Sequence, residues 1–128
     1  MIFRATRRAL SMSFESQAKQ YPPKGEPGIS YYPGYLNDKA GNIVDCLLYR
    51  TADGELVGIL NHFGFDLPPY EKKGNFTVLV SIHHLRKGIA TQLLQEACRR
   101  WPIDFTKQQY TPAGAALANS FVKTGAAS

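Results

Sequence analysis

One segment limits the fold more than any other. Asn75–Ile82 is rich in Phe, Thr, Val and Ile and nearly continuous in apolar character, the pattern of a strand buried on both faces. It runs into a basic, glycine-containing turn, His83–Gly88, and then into Ile89–Trp101. There Ile89, Leu93, Leu94, Ala97 and Trp101 recur at helical spacing and predict a helix with one core-facing stripe. Pro102 ends it. A buried strand, a short basic turn and an amphipathic helix must therefore lie in direct succession.

The flanking chain supplies the rest of an α/β domain. Val44, Cys46, Leu47, Leu48 and Tyr49 form strands readily. Thr51-Ala52-Asp53-Gly54-Glu55 carries an Asp-Gly turn, and Leu56–Leu60 is apolar again, so Asn42–Asn61 reads as a β-hairpin. The stretch Ser13–Gln20 suits a helix that Tyr21-Pro22-Pro23 stops. Lys24–Gly34, with its prolines and glycines, reads as an irregular loop, and Tyr31, Tyr32 and Tyr35 at its end read as an aromatic lid on the core. A second loop is expected over Asn61–Gly74. Ile103–Phe105 reads as a short strand, and Pro112–Lys123 as a final helix with proline in its first turn. The strand–turn–helix–strand succession is βαβ-like.

At 128 residues one domain is expected. Residues 1–41 form a basic start, a helix and a Pro/Gly-rich loop, and residues 42–128 form the core. The start, with Arg4, Arg7 and Arg8 and no acid before Leu10, is open to reading as a transit peptide or a plain basic element, and Met12 is a second candidate start. No apolar run is long enough for a membrane span. Cys46 and Cys98 stand far apart without a CxxC pair, which suggests free thiols in a reducing cytoplasm. Two cysteines with His62, His83 and His84 are too few for a zinc site, so no metal is expected. The net charge of +5 would attract a polyanion, either nucleic acid or a phosphate-bearing cosubstrate.

The turn narrows that choice. A helix N-terminus has unpaired N–H groups and a partial positive charge. Gly88 and Ala90 are small enough for a phosphate to approach the backbone, and Arg86 and Lys87 add charge. Together they predict a pyrophosphate site.

The spacing Gly88-Ile89-Ala90 followed by Leu93-Leu94 resembles the acyl-CoA signature of the GNAT superfamily of N-acyltransferases, Q/R-x-x-G-x-G/A and then two aliphatics. The likeness extends over Arg86–Ala97, and the element order from Asn42 to about Gly125 is also similar. The resemblance implies an α/β (α+β) fold with a mixed, mostly antiparallel central sheet flanked by helices. It implies acetyl-CoA as acyl donor and an amine as acceptor. It also implies that the backbone of Arg86, Lys87, Gly88, Ile89, Ala90 and Thr91 holds the pyrophosphate, and that Leu79, Val80 and Ile82 bond the pantetheine arm.

The chain departs from that pattern at several points. Leu85 stands where Gln or Arg is usual, and Ile82 where proline is common. Asn75 stands where many members have a carboxylate base, and Phe121, four residues before Gly125, where many have an acidic tyrosine. His62, Glu71 and His83 are then the candidate bases, and Tyr110 the candidate acid. The family's further strand pair after the last helix does not fit before Ser128, so a homodimer could complete the acceptor wall. Three functions remain open: acyl transfer to an amine, a CoA-binding or structural module without turnover, and nucleic-acid association.

Overall fold

A computed structural model describes residues 14–36, 42–66, 73–103, 105 and 118–119. They form an α+β arrangement. Residues 14–18 are helical (α1). Four strands follow, β1 (Gly28–Leu36), β2 (Ile43–Arg50), β3 (Leu56–His62) and β4 (Phe76–Val80), then a 3-10 turn (Ile82–His84) and helix α2 (Ile89–Arg100). The strands make one sheet in the order β1-β2-β3-β4, each antiparallel to its neighbour.

The hairpin β2–β3 closes where Asp-Gly predicts it. Thr51 N donates to Glu55 O at 2.9 Å and Gly54 N to Thr51 O at 2.8 Å. Gly54 has φ +82, and a Cβ there would stand 2.7 Å from Gly25 O. Glycine is thus required for both the dihedral and the close approach.

Both sheet faces are covered, which accounts for the near-continuous apolar character of β3 and β4. On one face Leu47, Leu60, Phe76, Val78 and Val80 pack against Ile89, Leu93, Leu94 and Ala97 of α2. On the other, Val44, Cys46, Leu48, Ile59 and Leu79 pack against Phe14 and Tyr21. Each fully buried Leu, Ile or Phe contributes about 1.5–3 kcal/mol. Gly58 lets α2 lie close to the sheet. A Cβ there would meet Ile89 Cγ2 at 2.8 Å, Leu93 Cδ1 at 3.1 Å and Tyr49 Cβ at 3.2 Å.

A buried polar hub crosses the α1 face. Asn61, 1% exposed, donates from Nδ2 to Gln17 Oε1 at 2.8 Å and to Thr77 Oγ1 at 2.9 Å. Its Oδ1 accepts from Cys46 Sγ at 3.1 Å. One side chain thereby joins α1, β2, β3 and β4. Burial pushes the Cys46 thiol up to about 11.

The sequence reading needs four corrections. Lys24–Gly34 is not an irregular loop throughout, since β1 begins at Gly28. Strand β1, at the edge of the sheet among the described residues, accommodates Pro33 beside a register shift between Pro33 and Leu36, a position where a missing ladder donor costs little. Tyr31 and Tyr32 are therefore strand residues, 44% and 36% exposed; of the expected lid, Tyr32 meets the buried Tyr21 edge-on at 5.2 Å, and the Tyr35 side chain lies outside the described residues. The expected loop from Asn61 starts later, because Asn61 and His62 belong to β3. Ile103 and Phe105 are not in a strand, and the described sheet holds no parallel pair, so no βαβ unit is formed among the described residues. Most of Pro112–Lys123 lies outside them, and residues 118–119 are helical. No described helix is long and apolar enough to cross a membrane.

Candidate functional site

The route from β4 into α2 has an unusual backbone. Ser81 N donates to Val57 O at 2.9 Å and His84 N to Ser81 O at 2.9 Å, so the chain leaves the sheet in a tight turn. Leu85 is extended (φ −67, ψ 152). Arg86 then takes φ 63 and Gly88 φ 77. A non-glycine residue in the left-handed region stores strain, which is often found at ligand sites. The two reversals expose Arg86, Lys87 and Gly88 and bring the chain back onto the sheet at Ile89, which is buried.

Helix α2 begins at Gly88 with no side-chain cap and no acidic residue in its first turn. Helix starts usually carry a capping oxygen or a carboxylate, so the N–H donors of Ile89, Ala90 and Thr91 lack the customary anionic or capping partner. The far end of the helix is conventional. Arg99 and Arg100 lie in its last turn, and Trp101 N donates to Ala97 O at 2.8 Å. Both arginines bond Glu96 at 2.6–2.9 Å, and Arg99 leads in holding that carboxyl below its usual range.

The β3–β4 register fixes which β4 groups face outward. Phe63 N donates to Asn75 O, and Ser81 N to Val57 O, both at 2.9 Å. Because antiparallel residues alternate between bonded and non-bonded pairs, Thr77 and Leu79 turn their backbone toward β3. Phe76, Val78 and Val80 turn theirs away from it. No other described strand pairs with that outer edge. Of the expected pantetheine partners, Val80 presents its backbone outward, Leu79 is directed into the sheet, and Ile82 opens the 3-10 turn. Val78 joins Val80 as an outward residue.

The candidate catalytic residues are not brought together. His83 is exposed in the 3-10 turn beside Arg86 and Lys87. His62 pairs with Phe76 at the other end of β4 and stacks on Trp101, with ring centroids 4.5 Å apart and planes 3° off parallel. Trp101 closes the C-terminus of α2 and Gly88 opens its N-terminus. A helix of 12 residues, about 18 Å long, therefore separates His62 from the basic turn. Burial lowers the His62 pKa, and the Asp45 carboxylate, 3.6 Å from Nδ1, acts against that. Asp45 also accepts a 2.7 Å bond from Tyr31 OH. Asn75 is buried. Glu71, Tyr110, Phe121 and Gly125 lie outside the described residues. Among those described, no group of three or more His, Cys, Asp or Glu side chains could hold a metal.

Sequence reasoning missed Asn61, Asp45 and Gly58. Only Gly58 leaves a trace, as a glycine within an apolar strand. Set against known proteins, the chain matches no family model, no curated protein and no solved structure.

Proposed function

We propose that this chain binds an acyl-CoA, with the turn 84–91 taking the pyrophosphate and the outer edge of β4 taking the pantetheine arm, and that it transfers the acyl group to an amine. The reading rests chiefly on one observation. The uncapped, acid-free start of α2 follows a turn in which Arg86 and Gly88 are both left-handed. Such a start suits a phosphate group. Five residues of β4 span about 16 Å, long enough for an extended arm to run from the turn toward Phe76. The thioester supplies an activated acyl carbon, and the outward Val78 and Val80 amides suit its developing oxyanion. Holding a neutral amine beside that carbon supplies rate through proximity. The GNAT resemblance of Arg86–Ala97 supports the same assignment.

A second reading, acyl-CoA binding without turnover, is favoured by the enclosure of His62 against Trp101 and by amide-bearing Asn75 in place of a base.

Calorimetric titration with acetyl-CoA, beside Gly88→Glu, tests the donor site. Saturable binding by the wild type and none by the variant is expected. Equal binding, or none by the folded wild type, overturns the proposal. Release of CoA thiol in the presence of amines then separates the two readings.

A further inference from the structure

At the C-terminal end of α2, side chains from three strands and the helix end close into a ring that acyl transfer does not use. Tyr31 on β1 donates from its hydroxyl to Asp45 Oδ1 on β2 at 2.7 Å. The other carboxylate oxygen, Asp45 Oδ2, stands 3.6 Å from His62 Nδ1 on β3. His62 stacks on Trp101, with centroids 4.5 Å apart and planes 3° off parallel. Arg100, next to Trp101 in the chain, places its guanidinium carbon 5.8 Å from the centroid of the Tyr31 ring and completes the circuit.

Histidine is the member of this ring that changes charge near neutral pH. The His62 side chain is buried. Its Nδ1 is shut off from solvent without a hydrogen-bond partner, since 3.6 Å is too long for one. Asp45 faces it from β2, Trp101 from the end of α2, and its register partner on β4 is the uncharged Phe76. Arg100 and Tyr31 lie one contact further round the ring, and Arg100 is itself paired with Glu96. Among the described residues, Asp45 is the charged group that acts on His62. That carboxylate is 31% exposed and already accepts from Tyr31, so it compensates a buried imidazolium only in part. Burial outweighs it, and the His62 pKa lies below its ordinary value. A contact that disfavours the imidazolium is weakened, by linkage, when the imidazolium forms.

We infer that the His62–Trp101 stack is an acid-released clamp: at neutral pH it fastens the C-terminal end of α2 to β3, and in acid the charged imidazole turns to water and frees Trp101. Trp101 is suited to be the moving part. It follows the last helical residue in extended conformation (φ −134, ψ 148) and is only half-buried. Pro102 after it has no N–H with which to hold the chain to the helix. The contribution of His62 to the closed contact is complete above its ordinary value and is lost as pH falls from there toward the lower value of the stacked ring. The clamp lies at the end of α2 opposite the turn 84–91, and it does not depend on the acyl-CoA reading.

Trp101 is the single tryptophan of the chain, so its emission reads the clamp directly. The full chain is titrated from about pH 7.5 to 4.5, a range that brackets histidine, while far-UV circular dichroism follows the sheet. A red shift of the Trp101 emission maximum and greater quenching by acrylamide are expected, with the dichroism unchanged. His62→Phe and His62→Gln, neither of which can take up the proton, should remove the pH dependence of both readings. Asp45→Asn withdraws the countercharge from the stack and should make the release more complete at a given acid pH. Gly88→Glu should leave the titration as it is. An unchanged emission, a fall in intensity without a red shift (the imidazolium staying on the indole), or a shift that comes only with loss of the sheet signal would overturn the assignment. The same shift in both His62 variants, or a release that Asp45→Asn diminishes, would overturn it as well.

Discussion

Arg86→Gly separates stability from binding in a way few substitutions would. Arg86 holds φ 63, where an L-residue costs about 1–2 kcal/mol relative to the right-handed region. Glycine removes that strain but adds unfolded-state entropy, which returns roughly 0.4–1 kcal/mol. The net expectation is a gain of about 0.5–1 kcal/mol. For a chain of this length that corresponds to a Tm higher by roughly 2–4 °C. The same change removes a guanidinium from the proposed phosphate site. A lost charge-assisted contact at an exposed position should weaken acetyl-CoA binding about five- to tenfold. Differential scanning fluorimetry reads the first effect and calorimetry the second. A fall in Tm would refute the strain argument. A higher Tm with unaltered acetyl-CoA affinity would refute the role of the Arg86 side chain in holding the phosphate.

Three further outcomes follow from the packing and the charges. Gly58→Ala places a methyl 2.8 Å from Ile89 Cγ2 and should cost about 1–3 kcal/mol, seen as a lower urea midpoint with an unchanged slope. Asn61→Leu strands Thr77, Cys46 and Gln17 of their partner and should cost about 2–4 kcal/mol by the same assay. Burial lowers the His62 pKa below its ordinary 6.5. The unfolded chain therefore binds the proton more readily, and the His62 contribution, complete above 6.5, is lost as pH falls through that value toward the folded pKa. His62→Phe should flatten that part of the stability–pH curve. An unchanged curve would remove His62 as its cause.

Much of the framework could be read in advance, because local signals there agree with the tertiary outcome. The Asp53-Gly54 turn between two apolar runs specifies the β2–β3 hairpin, and the spacing of Ile89, Leu93, Leu94 and Ala97 specifies the face of α2. Strand β1 was hidden by composition. Gly28, Pro33 and Gly34 signal a loop, yet an edge strand tolerates a proline and a register shift that a central strand would not. At the turn, Gly88 and the basic pair were visible. The left-handed Arg86 was not, since nothing local marks a non-glycine residue for that region. His62 looked like a free base because nothing local reveals that Trp101, 39 positions later in the sequence, lies against it. Asn61 gave no sign of joining four elements, because its partners Gln17, Cys46 and Thr77 are distant in sequence.

The central claim concerns particular backbone amides, so it is tested most directly by backbone amide NMR during titration with acetyl-CoA. The account predicts saturable shifts confined to Val78, Val80 and residues 86–91, with Thr77 and Leu79, which face β3, moving far less. Saturable shifts elsewhere with the turn silent, or no shifts at millimolar acetyl-CoA, would contradict it.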